Sequence, residues 1–196
     1  EFGGFPWWFL KYDDLDVRCM NERYLGFVDR YFDELIPRLA SHQITKGGNI
    51  ILVQVENEYG SYGDDNEYMK YIADGIRNRG IEVPLFTADG TDDHMLLNGG
   101  VDGIYKAVKF GANGERHFDA LKYFQPEGPL FCSEFWNGWY DEWEYKHYQR
   151  APKDAAVAMS RTLKCGASLN TYMFCGGTNF GFMNGANCDY EYKSVT

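Results

Sequence analysis

The patterns that mark most metal, nucleotide and disulfide sites are missing from this sequence. Its five cysteines contain no C-x-x-C pair and its four histidines form no H-E-x-x-H motif, so neither a disulfide framework nor a zinc site is indicated. No G-x-G-x-x-G pattern and no P-loop follows any apolar run, which argues against dinucleotide and nucleoside triphosphate chemistry. We therefore expect no cofactor and no bound metal.

Clusters of positive charge and long apolar stretches are also absent. The formal net charge is −10, and the 19 basic residues are scattered along the chain. Nucleic acids and anionic lipid surfaces are bound by clustered Lys and Arg, so neither partner is expected. No apolar run is long enough to cross a bilayer. This charge balance suits a neutral partner or substrate best.

The ends of the chain have neither an initiator methionine nor a signal-peptide layout. We therefore expect a fragment whose missing N-terminus would carry any targeting information. The compartment and the oligomeric state are left open, although five cysteines without an evident pairing favour a reducing interior such as the cytoplasm.

Aromatic residues are abundant, with 5 Trp, 15 Tyr and 14 Phe making up 17% of the chain. Aromatic rings fill protein cores, and most of these residues are expected there. Flat rings with a polar tip also suit sugars and other neutral polar ligands. Composition does not separate the two interpretations.

Apolar runs typical of buried strands alternate with amphipathic helical patterns, which is the rhythm of βα units and a parallel sheet. The predicted strands are 50–55, 83–88, 129–134 and 167–175, with a weaker one at 101–110 that Lys106 and Lys109 interrupt. Helices are predicted at 21–39, from about 67 to a stop at Gly80, at 117–124 and at 154–164. These elements fit a doubly wound sheet or part of a (β/α)8 barrel. Polar residues at successive strand ends favour the barrel.

Two of these strand ends carry the chemistry. Glu58 follows the first strand and Glu134 closes a later one, so in a parallel sheet both reach the same rim. Paired carboxylates in a cleft for a neutral substrate suit glycoside hydrolysis. The alternative is that each glutamate is a structural residue paired with Arg or Lys, and for either one alone that alternative is favoured. The functional interpretation gains from four further residues predicted at the same rim, Asn57, Trp136, Trp139 and Tyr172.

Three segments resemble glycoside hydrolase family 35, the β-galactosidases. Residues 53–62 (VQVENEYGSY) are similar to its acid/base segment and residues 133–139 (SEFWNGW) to its nucleophile segment. Residues 170–182 (NTYMFCGGTNFGF) with 184–187 (NGAN) are similar to its eighth-strand signature. Shorter matches at residues 2–6 and 84–90 extend the resemblance over nearly the whole chain.

The resemblance implies that residues 1–196 are the C-terminal part of a (β/α)8 TIM-barrel catalytic domain, truncated at both ends and holding about strands four to eight. It implies Glu58 as the general acid/base and Glu134 as the nucleophile of a retaining mechanism. Asn57 would hydrogen-bond the 2-hydroxyl of the sugar and Tyr172 would hydrogen-bond near the nucleophile. Trp136 and Trp139 would form the wall that faces galactose.

The implied activity is release of terminal β-D-galactose from β-galactosides or oligosaccharides. Two alternatives stay open at this point. An exo-β-glucosaminidase would use the same chemistry on another sugar, and a catalytically inactive homologue would keep the aromatic rim for binding alone. An isolated piece of the barrel is expected to be unstable or inactive, because it would expose unpaired strand edges and barrel interior.

Overall fold

The computed structural model describes residues 5–177, 185–188 and 190–195. Residues 2–4, 178–182 and 184 of the motifs quoted above lie outside the described residues. Six α-helices and seven strands are described: α1 (Glu22–Ala40), β1 (Val53–Gln54), α2 (Tyr59–Tyr62), α3 (Asn66–Asn78), β2 (Leu85–Asp89), α4 (Asp93–Asn98), β3 (Tyr105–Phe110), α5 (Gly114–Phe124), β4 (Phe131–Phe135), α6 (Pro152–Lys164), β5 (Ser168–Thr171), β6 (Ala186–Cys188) and β7 (Tyr192–Ser194). Two short 3-10 helices span Trp7–Lys11 and Ile44–Lys46.

The first five strands form one parallel sheet in the order β1-β2-β3-β4-β5, and β6 and β7 form a separate antiparallel pair. Each strand of the larger sheet pairs with the next one along the chain, and helices lie between them. Sequential parallel pairing with helical crossovers is the arrangement of a (β/α)8 barrel. The chain is therefore part of such a barrel, as the sequence predicted.

Local sequence explains where the main helices begin and end. The Asn21 side chain accepts a hydrogen bond from the backbone N–H of Tyr24 at the start of α1, and Asp65 does the same for Tyr68 at the start of α3. Such N-caps satisfy amide groups that have no partner inside the helix. Beyond α3, Gly80 takes a positive φ of 101°, a conformation that costs glycine little.

The helices cover the sheet through two apolar clusters. In one, α1 and α3 pack with β1 and β2 around buried residues such as Ile36, Met69 and Val55. In the other, α5 and α6 pack against β3 and β4 around residues such as Val108 and Phe118. Burial of these side chains supplies the main stabilisation of the sheet. Polar residues gather at the carboxyl ends of the strands, where Asp89, Lys109 and Glu134 lie.

The predicted strands and helices are present, but several bounds differ. The first strand is Val53–Gln54 rather than 50–55, because it lies at the sheet edge and pairs only with β2. The weaker strand predicted at 101–110 is shorter in the structure, where β3 spans Tyr105–Phe110. Helices α2 and α4 are short, and the sequence pattern did not predict them. No helix among the described residues combines the length and the hydropathy that a bilayer crossing requires.

Candidate active site

The carboxyl ends of the parallel strands bring charged residues together at one rim of the sheet. Asp89 ends β2, Lys109 is the penultimate residue of β3, and Glu134 holds the same position in β4. Lys109 and Glu134 are direct register partners across the β3–β4 pair. The segment 56–58 follows β1 and is held to β2 by a hydrogen bond of 2.9 Å from the Glu58 N–H to the Ala88 carbonyl.

One buried ammonium group faces both predicted catalytic carboxylates. The Lys109 Nζ lies 2.7 Å from Glu134 Oε1 and 3.7 Å from Glu58 Oε1, and the Lys109 side chain is 0% exposed. These two carboxylate oxygens therefore lie no more than 6.4 Å apart, the sum of the two distances. Retaining glycosidases separate their carboxyl groups by about 5 to 5.5 Å and inverting enzymes by about 6.5 to 9.5 Å. An upper limit on one pair of oxygens allows either separation between the carboxyl groups.

The two glutamates have different surroundings. Both oxygens of Glu134 accept hydrogen bonds, Oε1 from Lys109 and Oε2 from Trp136 Nε1 at 3.1 Å. The Glu58 side chain is 41% exposed, and within the described part of the chain nothing donates to its carboxylate at hydrogen-bond distance. Two donors suit a group that acts while ionised. An open carboxyl group suits proton exchange with a ligand.

Asn57 contacts the same Lys109 ammonium group that faces Glu58 and Glu134. Its Oδ1 accepts hydrogen bonds from Lys109 Nζ and, at 3.0 Å, from Gln54 Nε2. The same Gln54 nitrogen donates to the Glu56 carbonyl at 2.7 Å. The side chain of Asn57 is therefore fixed from the side of the sheet.

Glu56 points to a different set of partners. Arg18 donates to both of its oxygens at 2.9 and 2.8 Å and also to the Asn57 carbonyl at 2.8 Å. The hydroxyl of Tyr68 donates to Glu56 Oε1 at 2.7 Å, and burial raises the pKa of Tyr68 so that this hydroxyl keeps its proton. Glu56 is thus a structural anchor for the segment that carries Asn57 and Glu58.

The anchored segment has an unusual backbone. Glu56 and Glu58 both have positive φ values, 56° and 51°, and residues other than glycine seldom adopt this conformation. Backbone conformations of this kind persist where the surroundings hold them, and they are concentrated at functional sites. Here they turn Glu56 towards Arg18 and leave Glu58 facing the rim.

Of the predicted aromatic residues, Trp136 contacts Glu134 directly. The ring of Trp136 donates to Glu134 and packs edge-on against Trp139 with 5.1 Å between centroids. Trp139 is about half exposed, and so is Tyr172. Tyr172 follows β5 and its backbone N–H donates to the Phe135 carbonyl at 3.0 Å. The role predicted for the Tyr172 hydroxyl stays a prediction.

Asp89, the last residue of β2, is a buried carboxyl group. Its Oδ1 accepts a 2.8 Å hydrogen bond from the Gly60 N–H. Burial raises the pKa of Asp89 to about 6; the Gly60 hydrogen bond and the charges of Lys109 and Lys106 oppose the shift, and the Glu58 charge adds to it. An unfolded aspartate has a pKa of about 3.9, so between about pH 4 and 6 the folded protein binds more protons.

We expect Asp89→Asn to change how stability depends on pH. In the wild type, the contribution of Asp89 to the free energy of unfolding should fall as pH rises from about 4 to 6, because the folded state must release a proton that the unfolded state has already lost. Asparagine keeps an acceptor for Gly60 and removes the titration. Between pH 4 and pH 7 the free energy of unfolding of the variant should therefore rise by up to about 3 kcal/mol relative to that of the wild type.

Urea unfolding at pH 4.5, 6 and 7.5 measures this difference. Asp64→Asn, at an exposed carboxylate, is the matched control. Parallel pH curves for wild type and Asp89→Asn would contradict the prediction.

Several residues of the site were not predicted. In the sequence Lys109 only interrupts a weak strand, and no pattern indicates a role for Arg18, Gln54 or Tyr68. A usable signal existed for Lys109, since it occupies the same strand-end level as Glu134. No group of His, Cys, Asp and Glu suited to a metal ion occurs among the residues described.

Comparison with known proteins agrees with the resemblance drawn from the motifs. The family model described as "Glycosyl hydrolases family 35" matches residues 1–196. Human beta-galactosidase-1-like protein 3 is 41% identical over 204 residues, covering 100% of this chain and 31% of that protein. The mouse beta-galactosidase-1-like protein is 42% identical over 200 residues, covering 100% of this chain and 31% of that protein.

Proteins named simply beta-galactosidase are similar as well. The bovine protein is 39% identical over 195 residues, covering 97% of this chain and 30% of its own length. The chain thus spans less than a third of the length of the curated relatives it matches.

Proposed function

Because this chain belongs to the glycosyl hydrolases of family 35, we propose that it supplies the two catalytic carboxylates of a retaining β-galactosidase. The observation that supports this most directly is the position of Lys109, whose Nζ faces Glu58 and Glu134 at 3.7 and 2.7 Å. Both acids therefore reach one point at the rim. The proposed substrate is a β-galactoside or an oligosaccharide with terminal β-galactose.

In the proposed first step, Glu58 gives its proton to the glycosidic oxygen while Glu134 attacks the anomeric carbon. The bond to the leaving group breaks and a covalent glycosyl ester forms on Glu134. In the second step, Glu58, now a carboxylate, removes a proton from water. The resulting attack releases galactose with its β-configuration and restores both glutamates.

The different surroundings of the two glutamates support this division of roles. Glu134 accepts from Lys109 and Trp136, which hold an ionised carboxylate in one orientation for attack. Glu58 is the more exposed of the two and can meet the leaving group and then water. The half-exposed ring of Trp139 offers an apolar face to a sugar.

Azide rescue tests the role of Glu58. We expect Glu58→Ala to lower the rate by about 10²- to 10⁴-fold, the usual contribution of general acid–base catalysis. The loss should be larger for substrates with poor leaving groups, because these need the proton most. Azide needs no general base, so it should restore part of the rate on a nitrophenyl β-galactoside and yield β-galactosyl azide.

Glu67→Ala, at an exposed glutamate in the first turn of α3, is the matched control and should behave as wild type. Unchanged kinetics in Glu58→Ala, or an azide product with the α-configuration, would contradict the proposed role. All these measurements use the protein at its full natural length.

A panel of nitrophenyl β-glycosides separates galactose from other sugars. We expect the β-galactoside to give the highest kcat/KM of the panel. A preference for the β-glucosaminide would instead support the exo-β-glucosaminidase alternative on the same carboxylates. Binding of galactose without turnover of any sugar would support an inactive homologue.

A further inference from the structure

Lys109 is a fully buried charged residue of the candidate site. Its side chain is 0% exposed, and its three described partners are Glu134, Glu58 and Asn57. A buried ammonium group is costly unless acceptors surround it. Lysine has three donors and no acceptor, so each neighbour must turn an oxygen towards it.

This requirement fixes the side-chain amide of Asn57. Lys109 Nζ can only donate, so the Asn57 atom that faces it must be the oxygen. Gln54 Nε2 reaches the same Asn57 atom at 3.0 Å and also donates to the Glu56 carbonyl at 2.7 Å, which identifies the nitrogen end of Gln54. Two independent donors therefore meet Asn57 Oδ1. The Asn57 Nδ2 group is left on the side of the amide away from Lys109.

The same cation also holds the proposed nucleophile. Lys109 lies opposite Glu134 in the register of β3 and β4, and it donates to Glu134 Oε1 at 2.7 Å. One fixed ammonium group thus connects the carboxylate of Glu134 to the amide of Asn57. The distance and the relative orientation of these two groups depend on Lys109.

We propose that Lys109 is a positioning residue that keeps the Asn57 amide with its donor end towards the sugar 2-hydroxyl, beside the carboxylate of Glu134. This inference rests on the proposed function. Lys109 itself does not touch the substrate. It acts by preventing rotation of the Asn57 amide, so that a donor rather than an acceptor meets the ligand.

If Lys109 were only a structural counter-ion, its removal would also destabilise the protein. Loss of stability or of overall rate is therefore not a sufficient test. The distinguishing quantity is the penalty for deleting the 2-hydroxyl, defined as the ratio of kcat/KM on nitrophenyl β-galactoside to that on its 2-deoxy analogue. In wild type this penalty should be about 10²- to 10³-fold, as for removal of one well-placed donor.

The test measures this penalty in wild type, Asn57→Ala and Lys109→Met, each at full natural length. We expect Asn57→Ala to lose most of the penalty, because the donor is gone. Lys109→Met should lower the penalty at least tenfold while Asn57 is still present. Lys106→Met, three residues earlier on the same strand, is the matched control and should keep the wild-type penalty.

Chemical rescue provides a second variant. Lys109→Ala removes the atoms that propylammonium contains, so this cation should restore both rate and penalty, whereas propanol at the same concentration should not. Rescue would support the proposal even if Lys109→Met folds poorly.

Two different failures can be told apart. If wild type hydrolyses the galactoside and Lys109→Met slows both substrates by the same factor, the positioning role is wrong and the proposed function stands. If wild type hydrolyses no β-galactoside, calorimetric binding of galactose and 2-deoxygalactose makes the same comparison without turnover. Absence of galactose binding by wild type would overturn both proposals.

Discussion

Glu134→Ala should abolish turnover, with kcat falling by roughly 10⁴- to 10⁶-fold, as loss of a catalytic nucleophile does in other enzymes. Without this carboxylate no covalent ester can form on residue 134, and Glu58, the other carboxylate that Lys109 faces, is the proposed general acid/base. The effect should fall on kcat far more than on KM, because the attack on the anomeric carbon occurs only in the transition state.

Two measurements separate this chemical loss from misfolding. Glu134→Gln keeps an acceptor for Lys109, so it should melt close to wild type and still lack turnover. Glu127→Ala replaces an exposed glutamate that precedes β4, at the other end of the strand, and should keep wild-type kinetics.

A fluorinated substrate provides direct evidence for the attacking residue. A 2-deoxy-2-fluoro-β-galactoside with a good leaving group should accumulate the covalent ester, because fluorine slows its hydrolysis. Mass spectrometry should then find the sugar on the peptide that contains residues 131–135. Wild-type kinetics in Glu134→Ala, or a sugar adduct on another residue, would overturn the assignment.

Arg18→Met should destabilise the protein by about 3 to 5 kcal/mol, the usual cost of removing one partner from a buried ion pair. The Arg18 and Glu56 side chains are 19% and 12% exposed, so we expect the lower part of this range. The guanidinium also lies over the Tyr62 ring at 4.1 Å and donates to the Asn57 carbonyl. Methionine replaces some of the packing and none of the hydrogen bonds.

The variant should lose activity as well as stability. Glu56 and Glu58 keep positive φ values while Arg18 holds Glu56. Without Arg18, Glu56 would keep only the hydrogen bonds from the Tyr68 hydroxyl and the Asn57 N–H, and its charge would draw it towards water. Asn57 and Glu58 would then move with the backbone. Urea unfolding gives the free energy, and kcat/KM measured well below the melting temperature gives the effect on the site.

An exposed ion pair is the control for Arg18. Arg38 and Glu34 form a pair within α1 with side chains 76% and 73% exposed, and such pairs contribute little. Arg38→Met should therefore change the free energy of unfolding by no more than about 0.5 kcal/mol. A change equally small in Arg18→Met would contradict the anchoring role of Arg18.

Much of the fold was accessible from local patterns. Amphipathic periodicity predicted α1, α3, α5 and α6, and short apolar runs predicted the five parallel strands, because both depend on residues near each other in sequence. The bounds were less accurate where pairing decides them, as in β1, which is shortened by its position at the sheet edge. The short helices α2 and α4 have too few residues to show a period.

The residue order alone determined that Glu58 and Glu134 would share a rim, because parallel strands deliver their carboxyl ends to the same edge whatever their exact register. It did not determine what surrounds those carboxylates. Lys109 has the pattern of a solvated charge on a weak strand, and Arg18 lies in an irregular segment far from Glu56. Only the tertiary structure brings Lys109 opposite Glu134 and Arg18 onto Glu56. The physical reason is that ion pairs and buried hydrogen bonds depend on register and on backbone conformations held by distant contacts.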